Sequence, residues 1–313
     1  MHINFLEWDV DRLKAVLTEA HERLSAEPEL GVIDWLATEL STSFDEAMTG
    51  GDLQEFQSFC RSHPLSQILL MDPYARRAFE KPRGYAGDAV MLDYIYRPTR
   101  SSLEGLAGVI HEATTSLPNA KSILWRRDYL ANLINSIMLS RETAEVLSVA
   151  SGHMRELDRL RDITSHTNVR FTALDQDADS IAEARSTYKE YIISGQTKSF
   201  ASLIRERAAT KRYDLVYSAG LFDYLQDNTA VALIKAMFSR LQPGGILSIA
   251  NFTRDSHGRG FMAGFMDWCL IYRNEEDLRS LADAACPKAS HRIFRDQPRN
   301  VVYLELFADR NEH

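Results

Sequence analysis

The feature that most constrains this chain is a change of period at Glu145. Upstream, apolar residues recur at three- and four-residue intervals; downstream, short β-rich apolar runs alternate with helical ones. Val146-Leu147-Ser148-Val149-Ala150 is the first strand, and Ser151-Gly152 ends it. Val169 to Leu174, Tyr213 to Ser218 and Ile246 to Asn251 are further strands, and another precedes Ser199. Helical runs lie between them, from Asp179 to Ile193 and from Asn228 to Leu241, the second closed by Pro243-Gly244-Gly245. Strands alternating with helices require a mostly parallel sheet with right-handed crossovers. The tail breaks this rhythm. Ser290 to Phe294 and Val301 to Ala308 are two strands joined by a short polar loop, an antiparallel hairpin at the end of the sheet.

The first part of the chain reads as helical. Leu6, Val10, Leu13, Leu17, Ala20 and Leu24 fall on one helix face, and Val32, Ile33, Leu36 and Leu40 on another. Shorter pieces follow, cut by Pro64, Pro73, Pro82 and Pro98, before a long helix from Pro118 to Ser140 with Leu124, Leu130, Ile134 and Ile137 on its apolar side. The expected division is a helical region over 1–118 and an α/β domain over 119–313. The fold expected is therefore a Rossmann-like α/β sheet with an N-terminal helical subdomain.

Composition narrows the function. At 313 residues, 45% hydrophobic and 26% charged, the chain has ordinary globular values. A net charge of -8 argues against a nucleic-acid surface, which needs clustered cations. Cys60, Cys269 and Cys286 lie far apart with no ligand spacing, and the histidines are scattered. That pattern fits reduced thiols in a cytoplasmic protein, with neither a metal site nor a disulfide framework. No apolar stretch approaches a membrane span and the N-terminus lacks signal-peptide organisation. The oligomeric state stays open, with a homodimer among the options.

Four segments carry the candidate chemistry. The turn Val149-Ala150-Ser151-Gly152-His153-Met154-Arg155-Glu156 follows the first strand, where small residues let a ligand approach the backbone and Gly152 suits a tight turn. A plain strand–turn–helix would look the same. Asp175 stands directly after the second strand, 23 residues beyond Gly152. That is near the interval between a glycine turn and a ribose-binding acid, so the carboxylate suits the hydroxyls of an adenosine; the alternative is a helix cap, a task Asp177 can also perform. Phe200 and Ala201 are placed to pack on an adenine edge, or belong to the core. The run Tyr217-Ser218-Ala219-Gly220-Leu221-Phe222-Asp223-Tyr224 ends the fourth strand, where an open sheet faces its ligand.

The series Val-Leu-Ser-Val-Ala-Ser-Gly, Ala-Leu-Asp-Gln-Asp, Tyr-Asp-Leu-Val-Tyr-Ser-Ala-Gly-Leu-Phe-Asp-Tyr-Leu and Leu-Gln-Pro-Gly-Gly-Ile-Leu resembles the motifs of class I S-adenosylmethionine (SAM)-dependent methyltransferases over about 144–252. Where that superfamily shows an acid and three glycines, this chain has Ser148, Ala150, Gly152 and Met154, so the hold on the methionine end of SAM does not follow from the pattern. Lys81-Pro82-Arg83-Gly84-Tyr85-Ala86-Gly87-Asp88 and Met266-Asp267-Trp268-Cys269-Leu270-Ile271-Tyr272-Arg273 resemble a bacterial subgroup with a helical N-terminal region. That subgroup includes proteins of hydroxy fatty acid methyl ester biosynthesis, and SAM-cyclising azetidine-2-carboxylate synthases are similar in plan. Its implied setting is bacterial secondary or signalling metabolism.

Residue reading and resemblance together name SAM as the cofactor. Ala150, Ser151, Gly152, Asp175, Gln176, Phe200, Ala201, Ser218 and Gly220 are its binding candidates in the α/β domain. Arg83, Gly84 and Asp88 are candidates in a lid, where Tyr85 offers a π face to a sulfonium; a polar surface loop is the other reading of that segment. Tyr85, Tyr217, Tyr224 and His153 are the catalytic candidates, with Asp223 and His257 as further bases. Tyr94, Tyr96, Trp125 and Trp268 read as core. The polar loop from Asn251 to Gly260 either admits an acceptor or merely connects. The expected reaction is methyl transfer to a small molecule. Its alternative is attack of the SAM amine on its own γ-carbon, giving azetidine-2-carboxylate and methylthioadenosine; a non-catalytic SAM-binding module is a third.

Overall fold

The computed structural model describes residues 8–27, 29–98, 103–160, 168–206 and 211–310. Leu6, the first residue of the N-terminal apolar stripe, lies outside them. In chain order the elements open with helices α1 (Val10–Ala26), α2 (Leu30–Gly50), α3 (Leu53–Ser62), α4 (Leu65–Leu69), α5 (Pro73–Glu80), α6 (Ala89–Tyr96), α7 (Gly105–Ser116) and α8 (Pro118–Ser140). Then come β1 (Thr143–Val149), β2 (Asn168–Asp175), α9 (Ala178–Thr187), β3 (Ile192–Thr197), α10 (Phe200–Arg205), β4 (Tyr213–Ser218), α11 (Asp227–Phe238) and β5 (Leu241–Phe252). Helices α12 (Arg259–Phe265) and α13 (Glu275–Ala285) precede the closing strands β6 (Ser290–Arg295) and β7 (Val301–Phe307). Among the described residues no helix is long and apolar enough to cross a membrane.

The chain divides into two compact units, one of residues 1–123 with 255–269, the other of 124–254 with 270–313. In the helical unit, α1 buries Leu13, Leu17, Ala20 and Leu24, and α2 buries Val32, Ile33, Leu36 and Leu40. Helix α12 joins this unit through its small residues. A Cβ on Gly260 would stand 2.1 Å from the Leu40 carbonyl oxygen of α2, and one on Gly264 2.8 Å from Cys60 Sγ of α3. Arg259 clamps Asp45 of α2 at 2.6 and 2.9 Å. Because backbone cannot yield as a side-chain tip can, Gly260→Ala is expected to cost about 2–3 kcal/mol. A thermal melt unchanged by the substitution would show that α12 does not pack this way.

In the second unit seven strands, among the described residues, form one sheet in the order β3-β2-β1-β4-β5-β7-β6. The first five run parallel, and β7 pairs antiparallel with both β5 and β6. Alternate strand residues face opposite ways, as the pleat requires. Leu147, Val149, Val216 and Ile249 join one buried cluster with Leu233 and Leu278, while Val146, Leu215 and Tyr217 join another with Leu130 and Ile134 of α8. The sheet is therefore the expected α/β type with its terminal hairpin, covered by helices on both faces.

Two boundaries differ from expectation. The helix read as running to Ile193 ends at Thr187, because the β-branched Ile192 and Ile193 open β3. Strand β5 begins at Leu241, ahead of Pro243-Gly244-Gly245, and the irregularity is absorbed there: Gly244 has φ 77° and the β4–β5 register shifts between Tyr213 and Leu215.

Candidate functional site

In the second unit the strand order turns at β1, whose neighbours are β2 on one side and β4 on the other. Such a switch point leaves a crevice beyond the carboxyl ends of the strands. Val149 is level with Leu174 of β2, and Ser148 with Tyr217 of β4, so the Ala150–Met154 turn, Asp175 and Ser218 all lie at that end.

The turn holds an unusual backbone. Ala150, Gly152 and Met154 all have left-handed φ, at 53°, 52° and 52°, although only one is glycine. The path expected of a three-glycine motif is kept while two of the glycines are not. Met154 does not fill the crevice, since its side chain is buried with Leu130, Ile134, Leu157 and Phe171. Left-handed backbone costs a side-chain-bearing residue about 1–2 kcal/mol. Exposed Ala150→Gly is therefore expected to be neutral to stabilising by about 0.5 kcal/mol, once the entropy of a glycine is counted. Met154→Gly relieves the same strain but empties a core position, so it is expected to destabilise by about 2 kcal/mol. Denaturant titration of both variants checks the contrast, and equal effects would contradict it.

Asp175 fastens this turn to β2. Its carboxylate accepts from the amide of Gly152 at 2.8 Å and from that of Asp177 at 2.9 Å. The cap of α9 is a different residue: Asp177 accepts from Asp179 N at 3.1 Å and Ser180 Oγ at 2.6 Å. Burial pushes the Asp175 carboxyl above its ordinary range, opposed by the amides of Asp177, Gly152 and Gln176, which favour the anion. Gln176 beside it is exposed. Ser199 stands at the N-terminal cap position of α10 without a side-chain capping bond, Ala201 is half-buried, and Phe200 is half-buried against the core cluster that contains Leu203.

Two hydroxyls stand out. Ser151 Oγ, in the turn, and Ser218 Oγ, at the end of β4, are buried without a hydrogen-bond partner. Buried polar atoms are nearly always paired, so these two donors are suited to a polar ligand at the strand ends.

The floor beneath is charged. Tyr217, buried in β4, donates its hydroxyl to Glu156 Oε1, and Glu156 is itself buried. Burial raises the Glu156 carboxyl above its ordinary range, against the pull of the Tyr217 hydroxyl and of the Arg126 charge. Arg126, buried in α8, donates Nη1 to the Ala219 carbonyl at 2.5 Å, and a Cβ on Gly220 would stand 3.4 Å from that nitrogen. Glu156 and Arg126 were not among the site residues read from the sequence. Glu156 closes the turn after β1 that the sequence marks, but its charge becomes informative only once it is seen buried, as does that of Arg126.

Asp223 is held as a structural link. Its Oδ1 accepts from Phe252 N at 2.7 Å and its carbonyl from Ile271 N at 2.7 Å. Burial pushes its carboxyl up to about 6. Beside it the buried Arg273 donates to the Phe222 and Leu225 carbonyls, to Asn251 Oδ1 and to Asp227, fixing the loop after β4. Tyr224, on that loop, is exposed. His153 is buried, with its Nδ1 3.3 Å from an Arg155 Nη; Arg155 is also paired with Glu183 at 2.8 Å.

The other candidates belong to the helical unit. Gly84 is a turn glycine at φ 86°, Arg83 and Tyr85 are half-buried, and the Asp88 carboxylate is paired with Arg77 at 2.8 Å while capping α6 through Met91 N. Lys81 pairs with Asp267, which also binds Arg61 at 2.5 Å, so the two segments of the narrower resemblance meet there. His257 faces Asp34 and Thr38 of α2, both at 3.3 Å.

The chain is similar to known proteins over part of its sequence and in its fold. Residues 146–245 match the family described as a methyltransferase domain. A possible exported protein from Bordetella parapertussis shares the fold at a TM-score of 0.61 and 17% identity, with 96% of each chain covered. The N-methyltransferase NodS from Bradyrhizobium japonicum aligns at a TM-score of 0.42 and 17% identity, over 59% of this chain and 87% of its own. Magnesium protoporphyrin IX methyltransferase from Synechocystis aligns at 0.45 and 12%, over 72% and 99%. No curated protein sequence matches the chain. The segment 146–245 is thus similar to a methyltransferase domain, and SAM is the cofactor of that domain. The unpartnered hydroxyls of Ser151 and Ser218 and the acid at the end of β2 fit that group.

Proposed function

We propose that this chain is an enzyme that transfers the methyl group of SAM to a small-molecule acceptor. The observation that carries the reading is Asp175, a buried carboxylate at the end of β2 that is bonded to the Gly152 amide at the strand switch point. Bound SAM supplies an electrophilic methyl carbon on a sulfonium. Each Asp175 oxygen takes one backbone amide and keeps lone pairs for the ribose hydroxyls. Gln176 and the Phe200–Ala201 edge flank the nucleoside, with Ser151, Gly152, Ser218 and Gly220 lining the path toward the sulfur. Tyr217 and Tyr224 border the reacting centre. In-line displacement needs a positioned nucleophile and a water-poor site; a protein base is optional. The Asp223 carboxylate, bonded to the Phe252 amide, positions the loop rather than taking a proton.

The test is incubation of the purified chain with SAM, with and without a panel of small acceptors that includes hydroxy fatty acids, read by mass spectrometry. S-adenosylhomocysteine and a methylated product formed only with acceptor are expected. Methylthioadenosine and azetidine-2-carboxylate from SAM alone would replace methyl transfer by cyclisation.

A further inference from the structure

We propose that the second unit holds a binding site for a medium-chain carboxylate, in an apolar cavity rimmed by two lysines at the C-terminal ends of α11 and α13. The cavity has a volume of about 300 Å³. Phe238, Ala285, Cys286 and Ala289 line its wall, with Lys235 and Lys288 beside them. It is remote from the crevice at the end of β1. Helix α11 leads toward Leu241, the first residue of β5, which is level with Tyr213, the first of β4. Helix α13 leads toward Ser290, the first residue of β6, which is level with Phe307 and through it with Ile246. The cavity therefore lies toward the amino ends of the parallel strands, whereas the crevice lies at their carboxyl ends.

Charge and shape select the occupant. The chain carries a net charge of -8, yet the mouth of this cavity is cationic. Among the described residues neither Lys235 nor Lys288 is paired with an acid. Arg212 adds a third cation, donating to the carbonyl of Ser239, which also lines the cavity. A lysine in the last turn of a helix is favourable by itself, because it faces the negative end of the helix dipole. That accounts for Lys235, but not for an open apolar cavity flanked by two ammonium groups without counter-charge. Burial pushes the Cys286 thiol up to about 11 against the opposing pull of the Lys235 charge, so that charge acts on the cavity wall. An anion with an apolar tail answers both features. Its head neutralises the lysines at the mouth, and its tail removes the wall from water. Size sets the tail: at roughly 30 Å³ per water, the cavity holds about ten non-hydrogen atoms, the size of octanoate.

Titration calorimetry of the full chain with octanoate, octanol and acetate tests head and tail separately. Octanoate is expected to bind at one site. Octanol, without the charge, and acetate, without the tail, should each bind at least about tenfold more weakly. Lys235 and Lys288 are exposed, so Lys235→Ala/Lys288→Ala is expected to keep the fold. That double variant should lose octanoate affinity at least about tenfold while S-adenosylhomocysteine binding stays within about twofold. Cys286 reports the location: saturating octanoate should slow its alkylation at least about fivefold, read peptide by peptide, with the exposed Cys269 unchanged. No octanoate binding, octanol binding equal to octanoate, or octanoate binding that neither needs the lysines nor shields Cys286 would overturn the proposal. A dimer in sedimentation that the double variant splits would also overturn it, placing a second copy of the chain there instead. None of these outcomes touches the SAM reading, which S-adenosylhomocysteine binding tests by itself.

Discussion

Asp175→Ala is expected to weaken SAM binding about 100-fold, the loss of two charge-assisted hydrogen bonds at roughly 1.5 kcal/mol each. The side chain has two tasks, and both are lost together. Its oxygens would no longer meet the ribose, and the Gly152 and Asp177 amides, bonded to it at 2.8 and 2.9 Å, would lose their acceptor. The turn after β1 would then be less well held to β2. Asp175→Asn separates the tasks in part. Its one amide oxygen can still accept from a backbone amide, so the melting temperature should fall less than in the alanine variant while SAM binding still drops. Isothermal titration beside a thermal melt reads both quantities. Undiminished SAM affinity in Asp175→Ala would mean that the carboxylate serves the turn alone.

Arg273→Ala is expected to be the most damaging substitution for stability, at about 3–5 kcal/mol. The guanidinium is buried and satisfies two backbone carbonyls, those of Phe222 and Leu225, together with Asn251 Oδ1 and Asp227. Removing it strands the two carbonyls and Asn251 Oδ1 in a place water does not reach, while the exposed Asp227 keeps its hydration. The loop after β4, which carries Asp223 and Tyr224, loses its anchor at the same time. Denaturant unfolding should therefore show a large fall in midpoint, and SAM affinity should fall in the variant that remains folded at low temperature. Arg273→Lys should recover little, because a single ammonium cannot span the carbonyls that the planar fork reaches. A near-wild-type midpoint in Arg273→Ala would contradict the anchoring role.

Much of the α/β fold was legible because it is written in local period. Apolar runs of five or six residues after Glu145, spaced by helical patterns, leave little choice but a parallel sheet, and the closing pair of strands separated by Asp296-Gln297-Pro298 marks the hairpin. The interval from Gly152 to Asp175 was readable for the same reason, since both lie at strand ends. What escaped depends on partners distant in sequence. Nothing in residues 255–269 announces that they join the N-terminal helices; Gly260 and Gly264 become meaningful only against Leu40 and Cys60. The end of α9 was misread because Tyr191-Ile192-Ile193 continues the apolar pattern of the helix while preferring a strand. The left-handed backbone at Ala150 and Met154 was hidden for the opposite reason: residues that avoid that conformation adopt it here, held by the surrounding packing. Glu156 and Arg126 are charges whose burial the local pattern does not reveal.

The central claim is that SAM binds at the strand ends of the second unit, anchored on Asp175. A crystal structure of the chain with S-adenosylhomocysteine tests it most directly. The account predicts both ribose hydroxyls within hydrogen-bonding distance of the Asp175 carboxylate, with the nucleoside across the ends of β1 and β2. A ligand bound elsewhere on the chain, or a ribose turned away from Asp175, would contradict it.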